Sequence, residues 1–341
     1  MRAFTPLRLT VVLIPFGLFF LGALVICPAI GSVKINVLTA WAHRGDWAGN
    51  LDASVFFVTR LPRVLLAALA GAALALAGAA FQALLRNPLA EPFTLGVSSG
   101  GALGAVLAIK LGFDLSIFGF SPVVALAFLG AAGTVALVYA LARTRGTLPV
   151  PLLLMAGVTV SFFLTAEILL IFYFSDFAET HRMLRWMMGG LDVTGYSQLL
   201  GVTPFALAGM LWLIGSSGSL NQISLGAELA QSRGVRVRTT QRNCYVAASL
   251  ATGAVVALAG PIGFVGLIVP HTVRLLVGSD HRLLMPASML AGAGFLILCD
   301  TLARTILSPV EIPVGVLTAT LGGPFFIGLL WRAKITAKDI M

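Results

Sequence analysis

Two arginines three positions apart are the side chains best placed for chemistry in this sequence. Arg60 and Arg63 flank Leu61-Pro62 at the start of a long apolar run, and residues three apart share one side of a helix. Proline suits a first helical turn, but a guanidinium there opposes the helix dipole. An acidic partner surface would compensate, because guanidinium groups grip carboxylates bidentately. The alternative is that both arginines reach lipid headgroups, as terminal basic residues do.

A buried acid is the second candidate. Glu167 lies inside an apolar run, between Ala166 and Ile168. An acid within a membrane span is a functional hypothesis by default. It could line a transport pathway, pair with a hydroxyl of a neighbouring helix, or carry a proton. No other ionisable group lies deep in the apolar runs with it, so the sequence favours structural pairing over proton coupling.

Residue patterns typical of enzymes are missing from the sequence. Cys27, Cys244 and Cys299 lie far apart in apolar segments, without the spacing of a zinc site or a disulfide framework. We expect each to be a small buried side chain. The four histidines are dispersed, and no phosphate-binding glycine loop or nucleophile–base pair is present. The sequence therefore predicts no active site, no metal site and no cofactor in this chain.

The composition is that of a polytopic helical membrane protein. Of 341 residues, 58% are hydrophobic and only 10% are charged, whereas a soluble domain carries roughly 25% charged residues. A spanning helix needs about 20 mostly apolar residues, and ten segments qualify. The ten predicted segments are residues 8–30, 62–84, 93–110, 121–142, 150–174, 196–215, 243–260, 262–278, 284–303 and 313–331.

The basic residues predict the orientation of these segments. The first segment resembles a secretory signal, but its apolar part is long and no cleavage site stands out, so we interpret it as a retained helix. Ten spans place both termini on one side, which would carry fourteen of the 22 lysines and arginines, against eight on the other. The termini are therefore predicted to be cytoplasmic. The net charge of +9 reflects this topology and does not indicate nucleic-acid binding.

Three polar segments break the apolar pattern. Residues 223–234 predict a short amphipathic helix at the cytoplasmic surface, with Ser224 as N-cap and Gly234 as its stop. It could lie flat on lipid, but it is short and weakly basic, which favours docking into a partner's groove. Residues 176–192 predict an outer re-entrant or interfacial helix.

The third segment is the turn that closes the helix predicted over 62–84. Asn87-Pro88-Leu89 follows that helix, and the asparagine can satisfy backbone groups that the proline frees. Two interpretations stay open. The segment is either only a turn or one jaw of a gate, if the helix lines a pathway.

Several long motifs, in order, resemble one protein family. They are R-L-P-R at 60–63, Q-A-L-L-R-N-P-L-A-E-P at 82–92, L-G-V-S-S-G at 95–100, G-P-I-G-F-V-G-L-I-V-P-H at 260–271, D-H-R at 280–282, D-T-L-A-R at 300–304 and E-I-P-V-G-V-L-T-A-T-L-G-G-P-F-F at 311–326. Together they resemble the FecCD-type permeases, the membrane subunits of type II ABC importers for vitamin B12, ferric siderophores and haem. The match extends from about residue 55 to residue 331.

The resemblance implies a fold and a set of partners. It implies a single permease domain over 1–341 with about ten spans, working in the bacterial inner membrane as a homodimer, or paired with a paralogous permease, around a central pathway. It implies two copies of a separate ATPase, which binds ATP and Mg²⁺, and an extracytoplasmic binding protein.

The resemblance also implies roles for individual residues. Arg60, Arg63 and Arg304 would receive carboxylates of the binding protein. Asn87 and Leu89 would form the cytoplasmic gate. The segment 223–234 would be the coupling helix that contacts the ATPase, and its motif positions are Leu225, Gly226, Ala230 and Gly234. Arg233 stands where the family usually has an apolar residue.

The sequence as a whole predicts the permease subunit of an ABC importer for a bulky metal chelate. The chelate would be cobalamin, a ferric siderophore or haem, and ATP would be hydrolysed by the partner. The alternative is a proton-coupled secondary transporter that uses Glu167.

Overall fold

The computed structural model describes residues 5–47, 49–113, 121–144, 149–193 and 195–338, including their side chains except at 330 and 332–338. These ranges fold into α-helices joined by short turns. Fifteen α-helices occur in the described part of the chain. They are α1 (Pro6–Ile26), α2 (Val37–Ala42), α3 (Leu51–Ser54), α4 (Leu61–Leu84), α5 (Val97–Leu111), α6 (Pro122–Ala142), α7 (Val150–Tyr173), α8 (Phe177–Met187), α9 (Ser197–Gly215), α10 (Ser217–Leu225), α11 (Ala227–Ser232), α12 (Val237–Ala259), α13 (Val265–Val277), α14 (His281–Thr305) and α15 (Val314–Lys338).

Helix α4 is the centre of the bundle. It packs against α14, α12, α13 and α9, and almost every residue after Val64 is buried. Its alanines and glycines allow this, because small side chains let helix backbones approach closely. A Cβ added to Gly71 would lie 2.1 Å from the carbonyl oxygen of Gly292 in α14, and one added to Gly78 would lie 2.0 Å from that of Gly266 in α13.

The hydropathy pattern identified the long helices well. Within the described residues, seven helical stretches are long and apolar enough to cross a membrane, and three shorter apolar helices accompany them, at Val97–Leu111, Val265–Val277 and Val314–Leu329. These elements lie where the ten segments were predicted, and seven of them have the length and composition of a span. The chain is therefore a multi-pass, all-helical membrane protein.

One predicted boundary was wrong in a way that matters. The helix predicted to begin at residue 62 is continuous with α3 through a π-helical stretch, Val55–Arg60, so the apolar helical run extends from Leu51 to Leu84. Arg60 and Arg63 therefore lie about three turns inside a helix rather than at its amino end. The opposition to the helix dipole that the sequence suggested is absent, because that effect is confined to the first turn.

The amphipathic helix predicted over 223–234 was also wrong as one element. Gly226, with φ 137° and ψ 144°, separates α10 from α11. Ser224 lies inside α10, and its hydroxyl donates to the carbonyl of Asn221 rather than capping a helix. The predicted stop at Gly234 is confirmed, since its φ is +85° and the amide of Val235 bonds back to the carbonyl of Ala230.

The short outer helix predicted over 176–192 is present as α8. Asp176 and Glu179 form a reciprocal capping box at its start. Met183 is buried against α5 and α7, and Lys110 of α5 pairs with Glu179 at 2.7 Å. The three cysteines are free and buried, as expected.

Candidate functional site

The first candidate site is the arginine cluster formed by Arg60, Arg63 and Arg304. Arg60 is buried, with 5% of its surface exposed. Its guanidinium donates to the carbonyls of Pro28 (3.2 Å), Ala29 (3.1 Å) and Val33. The charge of Arg60 is thus used to hold the loop that follows α1 against the bundle.

Asp300 connects the other two arginines. Its carboxylate is fully buried, and it accepts from Arg63 Nε at 2.9 Å through one oxygen and from Arg304 Nε at 3.0 Å through the other. Arg304 is itself buried, with further bonds to the carbonyl of Ile30 and the hydroxyl of Thr301. A carboxylate shared between two guanidinium groups offsets much of the cost of burying these charges.

Arg63 is the member of the cluster that reaches the surface. Its side chain is 13% exposed, and its Nη1 pairs with Glu311 at 2.7 Å and Asp192 at 3.0 Å. Both acids are well exposed, Asp192 at 61% and Glu311 at 39%. The outer edge of the cluster therefore presents one guanidinium inside a rim of two carboxylates.

The structure brings all three predicted docking residues together, but they differ in how accessible they are to a partner protein. Arg60 and Arg304 are enclosed by their own chain, so a partner's carboxylate could reach them only after the loop around residues 28–33 moved. Arg63 could exchange Asp192 or Glu311 for a partner's acid without such a movement. Docking by these residues stays a prediction.

The three acids of this cluster, Asp192, Asp300 and Glu311, were not assigned a role from the sequence. Asp300 is four residues before Arg304, and an acid followed four positions later by arginine is a recognisable helical pair. The contacts of Arg63 to Asp192 and Glu311 span 129 and 248 positions, and no local pattern reports them.

The Asn-Pro turn at Asn87-Pro88-Leu89 lies at the opposite end of α4. The side-chain oxygen of Asn87 accepts the amide of Leu89 at 2.9 Å, the bond expected of an asparagine beside a proline. Leu89 is 47% exposed. Because α4 itself is enclosed by other helices, only this turn, and not the body of α4, could contribute to a gate.

Glu91 follows the turn and is partly buried. Burial raises the pKa of its carboxyl to about 7. A hydrogen bond from the backbone of Phe264 acts in the opposite direction and lowers the pKa by less. Phe264 has a left-handed backbone, with φ 68°, and precedes α13. This carboxyl therefore joins the Asn-Pro turn to the start of a separate helix.

The helical hairpin of α10 and α11 is the third candidate site. Ala230 is fully buried, packed with Ile223 and Val237, whereas Leu225 and Leu229 are 50% and 42% exposed. The two leucines form an apolar contact surface, and Ala230 holds the hairpin together from inside. Gly226 forms its bend and Gly234 its end.

Arg233 joins the two helices of this hairpin. Its Nη1 donates to the side-chain oxygen of Gln222 at 2.7 Å. The arginine that replaces an apolar residue of the expected pattern thus has a partner within its own hairpin.

A polar network fixes α10 to α14. Asn221 donates to Asp280 at 2.6 Å, and its oxygen accepts the backbone amide of His281 at 2.7 Å. Burial would raise the pKa of Asp280, but the hydrogen bonds from Arg282 and Asn221 outweigh it and lower the pKa to about 2. The network therefore stays ionised at physiological pH and couples the hairpin rigidly to the first turn of α14.

Glu167 lies apart from both ends. It is partly buried on α7, and within the described ranges no hydrogen bond or ion pair joins it to another residue. Its neighbours on that side of the helix, Phe163 and Leu170, are exposed at 61% and 51%. The structural pairing that the sequence favoured is not formed within the described chain.

The described residues were also compared with the requirements of a metal site. Among the described residues, no group of three or more histidine, cysteine, aspartate or glutamate side chains could hold a metal ion.

These features together are those of a membrane transport subunit, and comparison with known proteins identifies its class. The profile of the FecCD transport family matches residues 18–332. The chain therefore belongs to the FecCD transport family.

Relatives in this family have names that state their class. The chain is 39% identical to the ABC transporter permease protein YvrB of Bacillus subtilis (strain 168), over 97% of both chains. It is 37% identical to the hemin transport system permease protein HmuU of Yersinia pestis, over 92% of this chain and 95% of the other. It is 40% identical to the vitamin B12 import system permease protein BtuC of Klebsiella pneumoniae, over 86% and 87%.

A solved structure has the same fold. It is described as an inward-facing conformation of an ABC transporter of the metal-chelate type, with a TM-score of 0.82 and 32% identity. The superposition covers 95% of this chain and 99% of the other. The sequence-based prediction of an ABC transporter permease is thus confirmed.

Proposed function

We propose that this chain is the permease subunit of a type II ABC importer that moves a bulky metal chelate from a binding protein to the cytoplasm. The cargo class is vitamin B12, a ferric siderophore or haem. The observation that carries the proposal is a two-ended architecture, in which an arginine cluster at one end and an exposed helical hairpin at the other are both attached to α14. An importer subunit needs such an arrangement, because cargo is delivered at one end and movement driven by ATP hydrolysis enters at the other.

The ATP-hydrolysing activity belongs to a separate subunit. The exposed Leu225 and Leu229 give the hairpin an apolar surface, and helices commonly dock into grooves through such surfaces. We assign this surface to the partner ATPase, present in two copies. Gly226, Ala230 and Gly234 give the hairpin its shape, and the residues in direct contact are the two leucines.

The working unit is a homodimer, or a pair with a paralogous permease, of single-domain subunits. Helix α7 exposes large apolar side chains on the side that carries Glu167. A carboxylate facing lipid is costly, so this side of α7 is expected to face a partner subunit or a water-filled pathway. We place the two-fold axis there, with ten spans per subunit and Glu167 at the pathway.

The gate lies at the Asn-Pro turn. Leu89 is exposed, and Asn87 holds the turn closed through the amide of Leu89. Glu91 joins this turn to α13, so a shift of α13 would move the gate. The excess of lysine and arginine on the side predicted to carry the termini and this turn supports a cytoplasmic location for this end in a bacterial inner membrane.

The binding protein docks at the end of the subunit opposite the gate. Arg63 is the accessible member of the arginine cluster, and Arg60 and Arg304 form the support behind it. Arg63→Glu should weaken binding of the binding protein and make the remaining affinity less dependent on salt. Arg44→Glu, an exposed arginine of an outer loop, is the matched control. Equal affinities for the Arg63→Glu variant and the wild type would remove Arg63 from the interface.

The test of the whole proposal is ATP-driven uptake in proteoliposomes that contain this chain, its ATPase and its binding protein. Cobalamin, a ferric siderophore and haem are offered in turn. We expect accumulation of one cargo, and its loss in Leu229→Asp but not in Gln231→Asp, an exposed neighbour on the same helix. An intact complex that hydrolyses ATP but accumulates none of the three would refute the cargo class.

A proton-coupled transporter is the second candidate. The observation that favours it is the lack of an intramolecular partner for Glu167 in the described ranges. Uptake driven by ATP without a proton gradient, and retained in Glu167→Gln, would exclude it. Uptake that requires the gradient and fails in Glu167→Gln would exclude the ATP-driven importer instead.

A further inference from the structure

One exposed side of α12 carries a ridge with a basic end. Arg238, Arg242, Val246 and Leu250 are spaced four apart, so they form one row along the helix. Arg238, Arg242 and Val246 are exposed, and Leu250 is partly so. Basic side chains therefore occupy the end of the row near the start of α12, and apolar side chains continue it into the membrane span.

Two apolar grooves run along this ridge, one on each side. The first, of about 330 Å³, lies between α12 and α6 and is lined by Phe128, Val135 and Tyr139 from α6. The second, of about 430 Å³, lies between α12 and α9 and is lined by Ala208, Gly209 and Trp212 from α9. Val246 and Leu250 belong to the walls of both, so the ridge separates two neighbouring troughs.

The polarity of the second groove is concentrated at one end. Among the described residues that line it, Arg242 and Asn243 are the polar side chains of α12, and Trp212 of α9 lines the same groove. Tryptophan is typical of the membrane–water interface. The groove thus has a charged end at interface depth and an apolar floor that extends into the hydrocarbon region.

The guanidinium of Arg242 is available for a ligand. Its Nε donates to the side-chain oxygen of Asn243 at 3.1 Å, and within the described ranges no carboxylate pairs with it. Four arginines and no acid occur between residues 233 and 242. This local positive charge attracts a net anionic group, and a guanidinium binds phosphate oxygens bidentately.

We propose that this surface binds an anionic diacyl phospholipid astride α12. The headgroup phosphate would bind Arg242, with Arg238 adding to the positive potential, and the two acyl chains would lie in the two grooves on either side of Val246 and Leu250. A ridge between paired troughs fits a ligand with two chains and one charged head. The site does not depend on which cargo the transporter carries.

The experiment measures quenching of Trp212 by brominated lipids in bilayers containing the full-length chain. The Trp212 signal is the difference between wild type and Trp212→Phe. Phosphatidylglycerol and phosphatidylcholine, brominated at the same acyl positions, are titrated into a phosphatidylcholine background. Basic residues near a membrane surface contribute ~1 kcal/mol each toward anionic lipid, so we expect about a fivefold preference for phosphatidylglycerol.

Three variants make the test specific. Arg242→Gln should reduce the preference to near unity, whereas Arg8→Gln, which removes a charge on α1, should leave it unchanged. Ala208→Phe, which fills the α9–α12 groove from an exposed position, should reduce quenching by both lipids. Soluble glycerol phosphate should not compete, because it lacks the chains that occupy the grooves.

Other results would overturn the proposal. Equal quenching by the two lipids in the wild type would exclude selection of an anionic headgroup. Competition by glycerol phosphate would indicate a site for free phosphate, and loss of the preference on adding the partner ATPase would indicate that Arg242 is a protein contact.

Discussion

Replacement of Asp300 by asparagine tests whether the arginine cluster is held by its buried carboxylate. The substitution keeps the size of the side chain and removes one negative charge between Arg63 and Arg304, at 2.9 and 3.0 Å. Arg304 would retain longer bonds, 3.3 Å to Ile30 and 3.4 Å to Thr301. Its charge would be left buried without a counter-ion.

The expected loss follows from burial. Breaking a buried ion pair by removing one partner costs 3–5 kcal/mol, as an order of magnitude. We expect about 3 kcal/mol here, because Arg63 keeps Asp192 and Glu311. Asp192→Asn removes an equally close partner of Arg63 that is 61% exposed, and exposed pairs contribute about 0–1 kcal/mol. The two substitutions thus differ in burial while their chemistry is the same.

The assay is equilibrium unfolding in mixed micelles of a mild detergent and dodecyl sulfate, followed by tryptophan fluorescence. The double variant Asp300→Asn with Arg304→Gln should cost less than the sum of the single variants, because the two side chains interact directly. If Asp300→Asn loses no more free energy of unfolding than Asp192→Asn, the buried carboxylate does not hold the cluster and the reasoning fails.

Two further predictions concern helix packing and pH. Gly71→Ala should lower the free energy of unfolding by about 1–3 kcal/mol, since its Cβ would meet the backbone of Gly292, whereas Gly133→Ala, with nothing within 4 Å, should stay within ~1 kcal/mol of wild type in the same unfolding assay. Glu91 has a pKa of about 7 in the folded chain against an ordinary value of 4.5, so the folded state binds more protons between these values and the free energy of unfolding should fall as pH rises from 4.5 to 7. The total fall should be no more than ~3 kcal/mol. Unfolding measured at pH 5 and pH 8 should show this difference in the wild type, and Glu91→Gln should abolish it; an unchanged slope in that variant would assign the effect to another group.

The helices could be predicted from the sequence because a long apolar run by itself indicates a helix surrounded by lipid or by protein. The helix predicted over 150–174 is observed at Val150–Tyr173, and the one predicted over 121–142 at Pro122–Ala142. Burial in lipid and burial in protein give the same apolar composition, however. Hydropathy therefore did not distinguish the central α4 from α1, whose surface is mostly exposed.

The contacts of the site were harder to predict for a physical reason. Arg63 meets its three acids through chain segments that only the packed bundle brings together. The break at Gly226 depends on a backbone conformation that glycine permits but does not dictate. Asn87 was predictable, because its hydrogen bond to Leu89 is local.

One consequence of α14 is mechanical. Its 25 residues make a rod of about 37 Å, with the Asn221–Asp280 network at one end and Asp300 and Arg304 at the other. Pro286 in its second turn removes one helical hydrogen bond and favours a bend there, but no loop interrupts the helix, so a displacement of the hairpin is passed along α14 to the arginine cluster. The same rigidity fixes the angular register of the two ends: one extra residue in the middle would rotate them by about 100° relative to each other. The length of α14 is therefore as much a part of the proposed mechanism as the side chains at its ends.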